Sequence, residues 1–149
     1  MRAVVQRVTR AEVRVGGEVV GRVGVGFCVL VGVARGDDEA AARSLAAKVV
    51  GLRIFEDEDG KMNRDLLETG GGLLAISQFT LLGDVRRGKR PSFTEALEPD
   101  AARELFDTFC QACREAGAVV ETGRFRADMQ VELVNDGPVT ILLDTARAF

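Results

Sequence analysis

Residues 1–23, MRAVVQRVTRAEVRVGGEVVGRV, decide the fold class. Apolar and polar side chains alternate along this stretch with a period of two, which predicts half-buried β-strands rather than helix. Gly16-Gly17 divides the stretch into two such strands and is typical of a two-residue hairpin turn. Residues 27–31 then contain no polar side chain, so we expect a central strand covered on both faces. The simplest arrangement of these strands is an antiparallel meander.

Two later segments have the spacing of amphipathic helices. The first follows Asp37 and Asp38, which are suited to cap a helix N-terminus. The second begins near Pro99, a residue tolerated at the first helical position, and stops at Gly117. The apolar positions are Ala41, Leu45, Val49 and Leu52 in the first helix and Ala102, Leu105, Phe106, Phe109, Cys110 and Cys113 in the second. Two helices of this length can cover one face of a sheet.

Further strands follow each helix. Residues 73–76 form a buried strand that runs into the polar segment 77–80. Residues 129–133 alternate, residues 135–138 interrupt the pattern and residues 139–143 resume it, which predicts two strands joined by a tight polar turn. We therefore expect a single domain over residues 1–149, of the α/β class, with mostly antiparallel β-sheets in two layers and two helices packed on one side.

The composition excludes several kinds of chemistry. The chain has 149 residues and no histidine, so it lacks the imidazole of Ser-His-Asp and Cys-His triads and of His-ligated zinc sites. Its 20 Lys and Arg residues against 23 Asp and Glu residues give a net charge of −3. No global positive field therefore attracts nucleic acid, and a nucleic-acid partner needs a local site. No metal site and no cofactor are predicted.

The three cysteines and the hydropathy of the chain indicate in which cellular compartment the protein is expected. An odd number of cysteines in a chain of this size argues against a disulfide framework and favours a reducing compartment. The longest uncharged apolar run covers residues 23–34, well short of the ~20 residues of a membrane-spanning helix. The prediction is a cytoplasmic protein without a membrane segment. Cys110 and Cys113 have the spacing of a redox dithiol, but they fall on the apolar face of the second helix, where core packing is the simpler interpretation.

Four cations within five residues, Arg86, Arg87, Lys89 and Arg90, stand out in an acidic chain. Two interpretations have equal weight. One is a solvated loop, and the other is a patch that faces nucleic-acid phosphates without recognising their sequence. Arg124 and Arg126 are placed to add to such a patch.

Two polar segments follow buried strands and are candidates for a ligand site. They are Ser77-Gln78-Phe79-Thr80 and Asn135-Asp136-Gly137-Pro138-Val139-Thr140. Where a strand ends, backbone N–H groups lose their ladder partners and can bind a ligand oxygen.

These two segments resemble the signature motifs of the D-aminoacyl-tRNA deacylases, and the resemblance extends over essentially the whole chain. It also includes Gln6-Arg7-Val8, residues 60–63, residues 90–93 and residues 122–125. The resemblance implies a barrel-like fold and an editing esterase, which hydrolyses the ester between a D-amino acid and the terminal adenosine of tRNA. It implies a homodimer with active sites at the interface. Gly137 and Pro138 then form a cis-peptide chiral filter that reaches into the partner's pocket, holds the α-amino group and excludes L side chains, so that glycine attached to alanine tRNA is also cleared.

The resemblance further implies roles for the other candidate residues. Ser77, Gln78, Phe79 and Thr80 line the pocket wall, with the N–H groups of Phe79 and Thr80 near the ester carbonyl. Catalysis is attributed to the 2′-hydroxyl of the terminal ribose, which suits a chain without histidine, and Thr80 is then a positioning residue. Met129 contributes to the adenosine pocket or to the core. The remaining substrate-binding or tRNA-binding candidates are Asn135, Thr140, Arg86, Arg87 and Lys89.

Two hypotheses from other classes remain open at this point. The same strand ends suit a non-catalytic module that binds an RNA end or a nucleotide. The cysteine spacing, more weakly, suits a redox protein.

Overall fold

The computed structural model describes all 149 residues and contains eight β-strands and three α-helices. The strands are β1 (Arg2–Val15), β2 (Glu18–Val23), β3 (Gly26–Gly32), β4 (Phe55–Glu56), β5 (Met62–Arg64), β6 (Gly72–Ser77), β7 (Val119–Thr122) and β8 (Gln130–Asp144). The helices are α1 (Glu39–Val50), α2 (Leu66–Thr69) and α3 (Pro99–Glu115), and a 3₁₀ turn covers Phe79–Leu82. None of the helices is both long and apolar enough to cross a membrane.

The predicted hairpin is confirmed, whereas the predicted meander is wrong. β2 pairs antiparallel with β1 across Gly16 and Gly17, whose φ angles of +57° and +83° belong to the left-handed region that glycine adopts freely. β3, however, pairs with residues 2–8 of β1 and not with β2. The reason is length, since the six residues of β2 pair only with residues 11–15 of the 14-residue β1 and leave the rest of that strand for β3.

The second half of the sheet is parallel. β3 pairs in parallel with β6, and β6 in parallel with β7. Parallel neighbours need crossover connections, and α1 and α3 lie in these two crossovers. The sheet curls so that β2 approaches β7, where the backbone N–H of Arg22 donates to Glu121 Oε1 at 3.5 Å. The result is a nearly closed, barrel-like sheet of the mixed α/β class, which confirms the predicted fold class.

Both predicted helices are present, and the four-residue α2 is an addition. Asp38 caps α1 by accepting from the N–H of Ala41 at 2.9 Å, and Pro99 is the first residue of α3. The two long helices pack against each other over one face of the sheet, and Arg43 of α1 pairs with Glu115 of α3 at 3.2 Å. α3 ends at Glu115, two residues before Gly117.

The core has two parts, one on each side of the central strand β3. A cluster of 25 buried residues fills the space between sheet and helices, and a second cluster lies inside the barrel. Phe27, Val29 and Val31 belong to the first cluster and Cys28 to the second, so β3 is covered on both faces as predicted. Cys110 and Cys113 lie in the first cluster, and burial raises the pKa of both thiols to about 12.

The two predicted C-terminal strands are in fact one strand. Both parts of β8 run antiparallel to β1, so the chain does not reverse at residues 135–138. It bulges instead, because Asn135 pairs with Val8 and Thr140 with Gln6, and five steps along β8 match two along β1. A proline has no N–H to give to a ladder, which accounts for the interruption at Pro138. We call residues 136–139 the β8 bulge.

Candidate active site

A cavity of about 770 Å³ opens where β6 ends. Because β3 and β6 are parallel, the segments that follow their carboxyl ends meet at one edge of the sheet, and these segments contribute Val33 and residues 77–80. The start of α3 and the segment before β8 complete the lining. The lining residues are Val33, Ile76, Ser77, Gln78, Phe79, Thr80, Phe93, Ala96, Leu97, Glu98, Pro99, Ala102, Phe125, Arg126, Ala127, Asp128, Met129 and Val131.

The predicted segment 77–80 forms one wall of this cavity. The N–H of Gln78 continues the β3–β6 ladder by donating to the carbonyl of Val31 at 2.7 Å, and the chain then turns into the 3₁₀ helix. In a 3₁₀ helix the first N–H groups have no partner within the helix, so those of Phe79 and Thr80 are free for a ligand oxygen. Phe79 is 57% exposed, and its ring packs edge-on against that of Phe93 with 5.1 Å between the centroids.

The cavity offers hydroxyl groups and backbone donors but little acid–base chemistry. Its lining contains no lysine, cysteine or tyrosine, and the chain has no histidine. The carboxylate of Glu98 caps α3, where it accepts from the N–H groups of Asp100 at 3.1 Å and Ala101 at 2.7 Å. Asp128 is exposed to solvent. Nothing in the cavity is therefore arranged to deprotonate Ser77 or Thr80, so the site suits a ligand that brings its own reactive group.

Both predicted roles of Met129 are compatible with its position. Its side chain lines the cavity, and it also packs against the barrel cluster. The sulfur lies so close to Gly123 that a Cβ at that glycine would approach it to 2.5 Å. Met129 therefore fills space between the core and any ligand in the cavity.

Gly137 and Pro138 are not part of the cavity of their own chain. They form the exposed tip of the β8 bulge, and the peptide bond between them is cis. Gly137 has a φ angle of +128°, and a Cβ there would lie 2.7 Å from Val139 Cγ2 and 3.1 Å from Arg7 Nη2. The next residue, Val139, is buried in the core and fixes one end of the bulge.

Arg7 holds the other end of the bulge, and sequence reasoning missed this role. It is a polar residue that is only 5% exposed. Its Nε–H donates to the carbonyl oxygen of Asp136 at 3.1 Å and its Nη1–H to the carbonyl oxygen of Ile54 at 2.7 Å. The guanidinium therefore links the residue before Gly137 to the segment between α1 and β4. The available signal was an arginine in the middle of an alternating apolar strand.

Asn135 and Thr140, predicted to bind substrate, lie across the base of the bulge. The Asn135 amide nitrogen donates to Gln6 Oε1 at 2.7 Å and to Thr140 Oγ1 at 3.2 Å. Its Oδ1 accepts from the N–H of Val139 at 2.8 Å. These bonds replace the ladder bonds that the bulge interrupts, so both residues hold the shape of the bulge.

The basic segment 86–90 lies beside the cavity. Asp84 and Ser92 pair through their backbones and close the loop, and Phe93 then enters the cavity lining. Arg86 is paired with Asp84 through contacts of 2.9 and 2.7 Å, and this guanidinium holds the pKa of the Asp84 carboxyl well below its usual range. Arg87 and Lys89 are exposed and form no ion pair, so their charges, unlike that of Arg86, are not paired with a carboxylate.

Comparisons with known proteins agree with this geometry. Residues 4–144 match the model of the family described as D-Tyr-tRNA(Tyr) deacylase. A D-aminoacyl-tRNA deacylase of Symbiobacterium thermophilum is 62% identical over 149 residues, which cover 100% of this chain and 99% of that protein. A protein of the same name from Anaeromyxobacter dehalogenans is 63% identical over 149 residues, and both chains are covered completely.

Two solved structures have the same architecture. The c-Myc DNA Unwinding Element Binding Protein superposes with a TM-score of 0.92 and is 40% identical, with 97% of this chain and 99% of that chain covered. A probable eukaryotic D-amino acid tRNA deacylase superposes with a TM-score of 0.80 over 95% of this chain and 97% of that one. At 20% identity, the second likeness concerns the fold alone.

The fold, the cavity and the full-length relatives define the class of the protein, which is a hydrolase. Within that class, the chain belongs to the D-Tyr-tRNA(Tyr) deacylase family, since the family model matches nearly all of it. The family resemblance inferred from the two motifs is thereby confirmed.

Proposed function

We propose that this protein hydrolyses D-aminoacyl-tRNA and releases the free D-amino acid and tRNA. The names of its full-length relatives support this substrate. The single observation that carries the proposal is the wall formed by residues 77–80, which presents free N–H groups to a cavity without a protein base. Such donors stabilise the oxyanion that forms when an ester carbonyl is attacked.

In the proposed reaction a hydroxyl group of the substrate does the work of the base that the protein lacks. The 2′-hydroxyl of the terminal ribose positions a water molecule, which attacks the ester carbonyl. The N–H groups of Phe79 and Thr80 bind the resulting oxyanion, and Ser77 and Gln78 complete the wall around the reacting centre. The water proton passes to the 3′-oxygen as the ester bond breaks. Met129 and Phe125 provide apolar surface for the terminal base.

We also propose that two copies of the chain form a homodimer, in which the β8 bulge of one protomer enters the cavity of its partner. The exposure of Gly137 and Pro138, together with their absence from the cavity of their own chain, supports this arrangement. Their carbonyl oxygens then accept hydrogen bonds from the substrate's α-ammonium group. With the ammonium fixed, an L side chain collides with the bulge while a D side chain points away. Glycine has no side chain to exclude, so glycyl-tRNA(Ala) is a further substrate.

The basic loop supplies a local site for the tRNA acceptor end in a chain of net charge −3. Arg87 and Lys89 are free to meet backbone phosphates, whereas the guanidinium of Arg86 is engaged by Asp84 and orders the loop. Because aminoacyl-tRNA is made and used in the cytoplasm, we place the enzyme there.

Incubation with D-tyrosyl-tRNA and L-tyrosyl-tRNA tests the proposed function. We expect free tyrosine from the D ester only. The absence of a protein base favours one rival, a module that binds the RNA end without cleaving it. Binding of both substrates without release of the D-amino acid would establish that rival.

A further inference from the structure

Arg126 has a backbone conformation that side-chain-bearing residues seldom adopt. Its φ angle is +64°, in the left-handed region where a Cβ crowds the following carbonyl. Only one other non-glycine residue shares this feature, namely Arg147 with φ of +57° in the C-terminal turn. Arg126 lines the cavity and Arg147 does not. The structure thus contains two left-handed arginines, of which one faces the candidate active site.

The neighbours of Arg126 fix this conformation. The centroid of the Phe125 ring is 6.5 Å from that of Phe106, and the guanidinium carbon of Arg103 lies over the Phe125 ring, 5.0 Å from its centroid. The N–H of Ala127 donates to the carbonyl of Arg124 at 3.2 Å and closes the turn. Because Phe125 and Ala127 are both anchored, Arg126 between them is held with its side chain at the edge of the cavity.

The Arg126 side chain is free to bind a ligand. It is exposed and has no carboxylate within ion-pairing distance, whereas the nearby Arg124 pairs with Glu18 at 3.7 Å. The cavity lining has three charged residues, Glu98, Arg126 and Asp128, so Arg126 is its only cation. The backbone of Arg126 is strained in a way that glycine would relieve, and its cationic side chain faces the cavity. Backbone strain of this kind clusters at functional sites.

We propose that Arg126 binds the phosphate on the 5′ side of the terminal adenosine. The proposal rests on the proposed function, which places the ester at the wall of residues 77–80 and the adenosine in the same cavity. The terminal nucleotide of tRNA has one anionic group, the phosphodiester on its 5′ side, which joins it to the rest of the tRNA outside the cavity. A guanidinium matches a phosphate through two parallel N–H donors. Arg126 is then a positioning residue, which fixes the terminal nucleotide so that the ester meets its wall.

The test compares two small substrates that differ only in this phosphate. They are the 3′-D-tyrosyl esters of adenosine and of adenosine 5′-monophosphate, assayed with the wild-type chain and with the variants Arg126→Gly, Arg126→Lys and Arg147→Gly. The readout is the ratio of kcat/KM for the phosphorylated ester to kcat/KM for the unphosphorylated one. Arg147→Gly is the matched control, since it relieves the same kind of backbone conformation away from the cavity.

We expect the ratio to fall about tenfold in Arg126→Gly, to fall less in Arg126→Lys and to stay at the wild-type value in Arg147→Gly. Both glycine variants are expected to unfold at or above the wild-type temperature, because glycine adopts positive φ without a clash. A lower ratio in Arg126→Gly is therefore not a result of unfolding. A wild-type ratio in Arg126→Gly would overturn the inference.

A binding measurement separates this inference from the proposed function. If the wild-type chain releases no tyrosine from D-tyrosyl-tRNA, the proposed function fails. Calorimetric titration with 5′-AMP and with adenosine then decides the phosphate contact alone. Loss of the preference for 5′-AMP in Arg126→Gly supports the contact, and an unchanged preference, or none in the wild type, excludes it.

Discussion

The Nε–H group of Arg7 donates to the main-chain carbonyl of Asp136 at 3.1 Å, directly before Gly137. This bond joins the buried middle of β1 to the exposed tip of the β8 bulge, across 129 residues of sequence. The bulge is therefore held by a specific interior group, and its shape depends on a residue that lies outside it.

Arg7→Ala should destabilise the protein and displace the bulge. The substitution leaves the carbonyls of Asp136 and Ile54 without their donors, and at Ile54, where the bond is buried, an unsatisfied polar group costs about 1–3 kcal/mol. We expect a lower free energy of unfolding in urea and reduced deacylation of D-tyrosyl-tRNA. The control is Arg10→Ala on the same strand, which removes an exposed ion pair with Glu132 and should leave stability close to wild type. Equal stability of the two variants would contradict the role of Arg7.

Gly137→Ala should weaken the discrimination between D and L substrates. The new methyl group would lie 2.7 Å from Val139 Cγ2 and 3.1 Å from Arg7 Nη2, at a φ angle that costs about 1–3 kcal/mol for alanine. We expect the ratio of D to L hydrolysis rates to fall about tenfold as the bulge shifts. Gly60→Ala is the control, because Gly60 also has a positive φ of +75° but nothing lies near its Cβ position. An unchanged ratio in Gly137→Ala would remove this residue from the chiral filter.

The Asp84–Arg86 pair should persist into acid. Hydrogen bonds from Arg86 lower the pKa of Asp84, so the pair is fully formed above the carboxyl's ordinary value of 3.8 and is lost only as the pH falls through the lowered value. In an NMR titration, the Asp84 side-chain carboxyl signal should move well below pH 3.8 in the wild type and at a higher pH in Arg86→Ala, which keeps only the backbone hydrogen bond from residue 86. Identical midpoints would show that the Arg86 side chain does not pair with the Asp84 carboxylate.

Cys110 and Cys113 should be inert in the folded protein. Burial raises their pKa to about 12, so on the order of one thiol in 10⁴ is ionised at pH 8. Iodoacetamide should label neither residue in the native chain and both after unfolding in guanidinium, as counted by mass spectrometry. Rapid labelling of the native chain, with loss of activity, would favour the redox hypothesis.

The local patterns in the sequence predicted most of the elements correctly. Alternation and the Gly16-Gly17 pair predicted the first hairpin, and the spacing of apolar residues predicted α1 and α3. Residues 77–80 were predicted as a candidate ligand-binding segment, because polar residues after a buried strand mark a strand end, and they do line the cavity. Met129 lines the same cavity and also packs against the barrel cluster, so its role in an adenosine pocket stays a prediction.

The wrong predictions concern strands whose arrangement depends on pairing with segments that are distant in the sequence. A polar interruption between two alternating segments has the same sequence pattern whether the chain reverses or bulges, and only the length of β1 distinguishes the two cases in β8. The partner of β3 likewise depends on how much of β1 is left uncovered by β2. The free state of Arg126 and the paired state of Arg86 follow from side-chain geometry, which residue type alone does not specify.

The central claim is that the chain binds and orients the ester while the substrate's own hydroxyl takes part in the reaction. Single-turnover hydrolysis of D-tyrosyl-tRNA ending in adenosine or in 2′-deoxyadenosine tests it most directly, with the Thr80→Ala variant measured in parallel on the adenosine-ended substrate. We predict that the 2′-deoxy substrate is nearly inert and that Thr80→Ala keeps most of the wild-type rate. Rapid hydrolysis of the 2′-deoxy substrate, together with an inactive but folded Thr80→Ala, would contradict the account and identify a protein nucleophile.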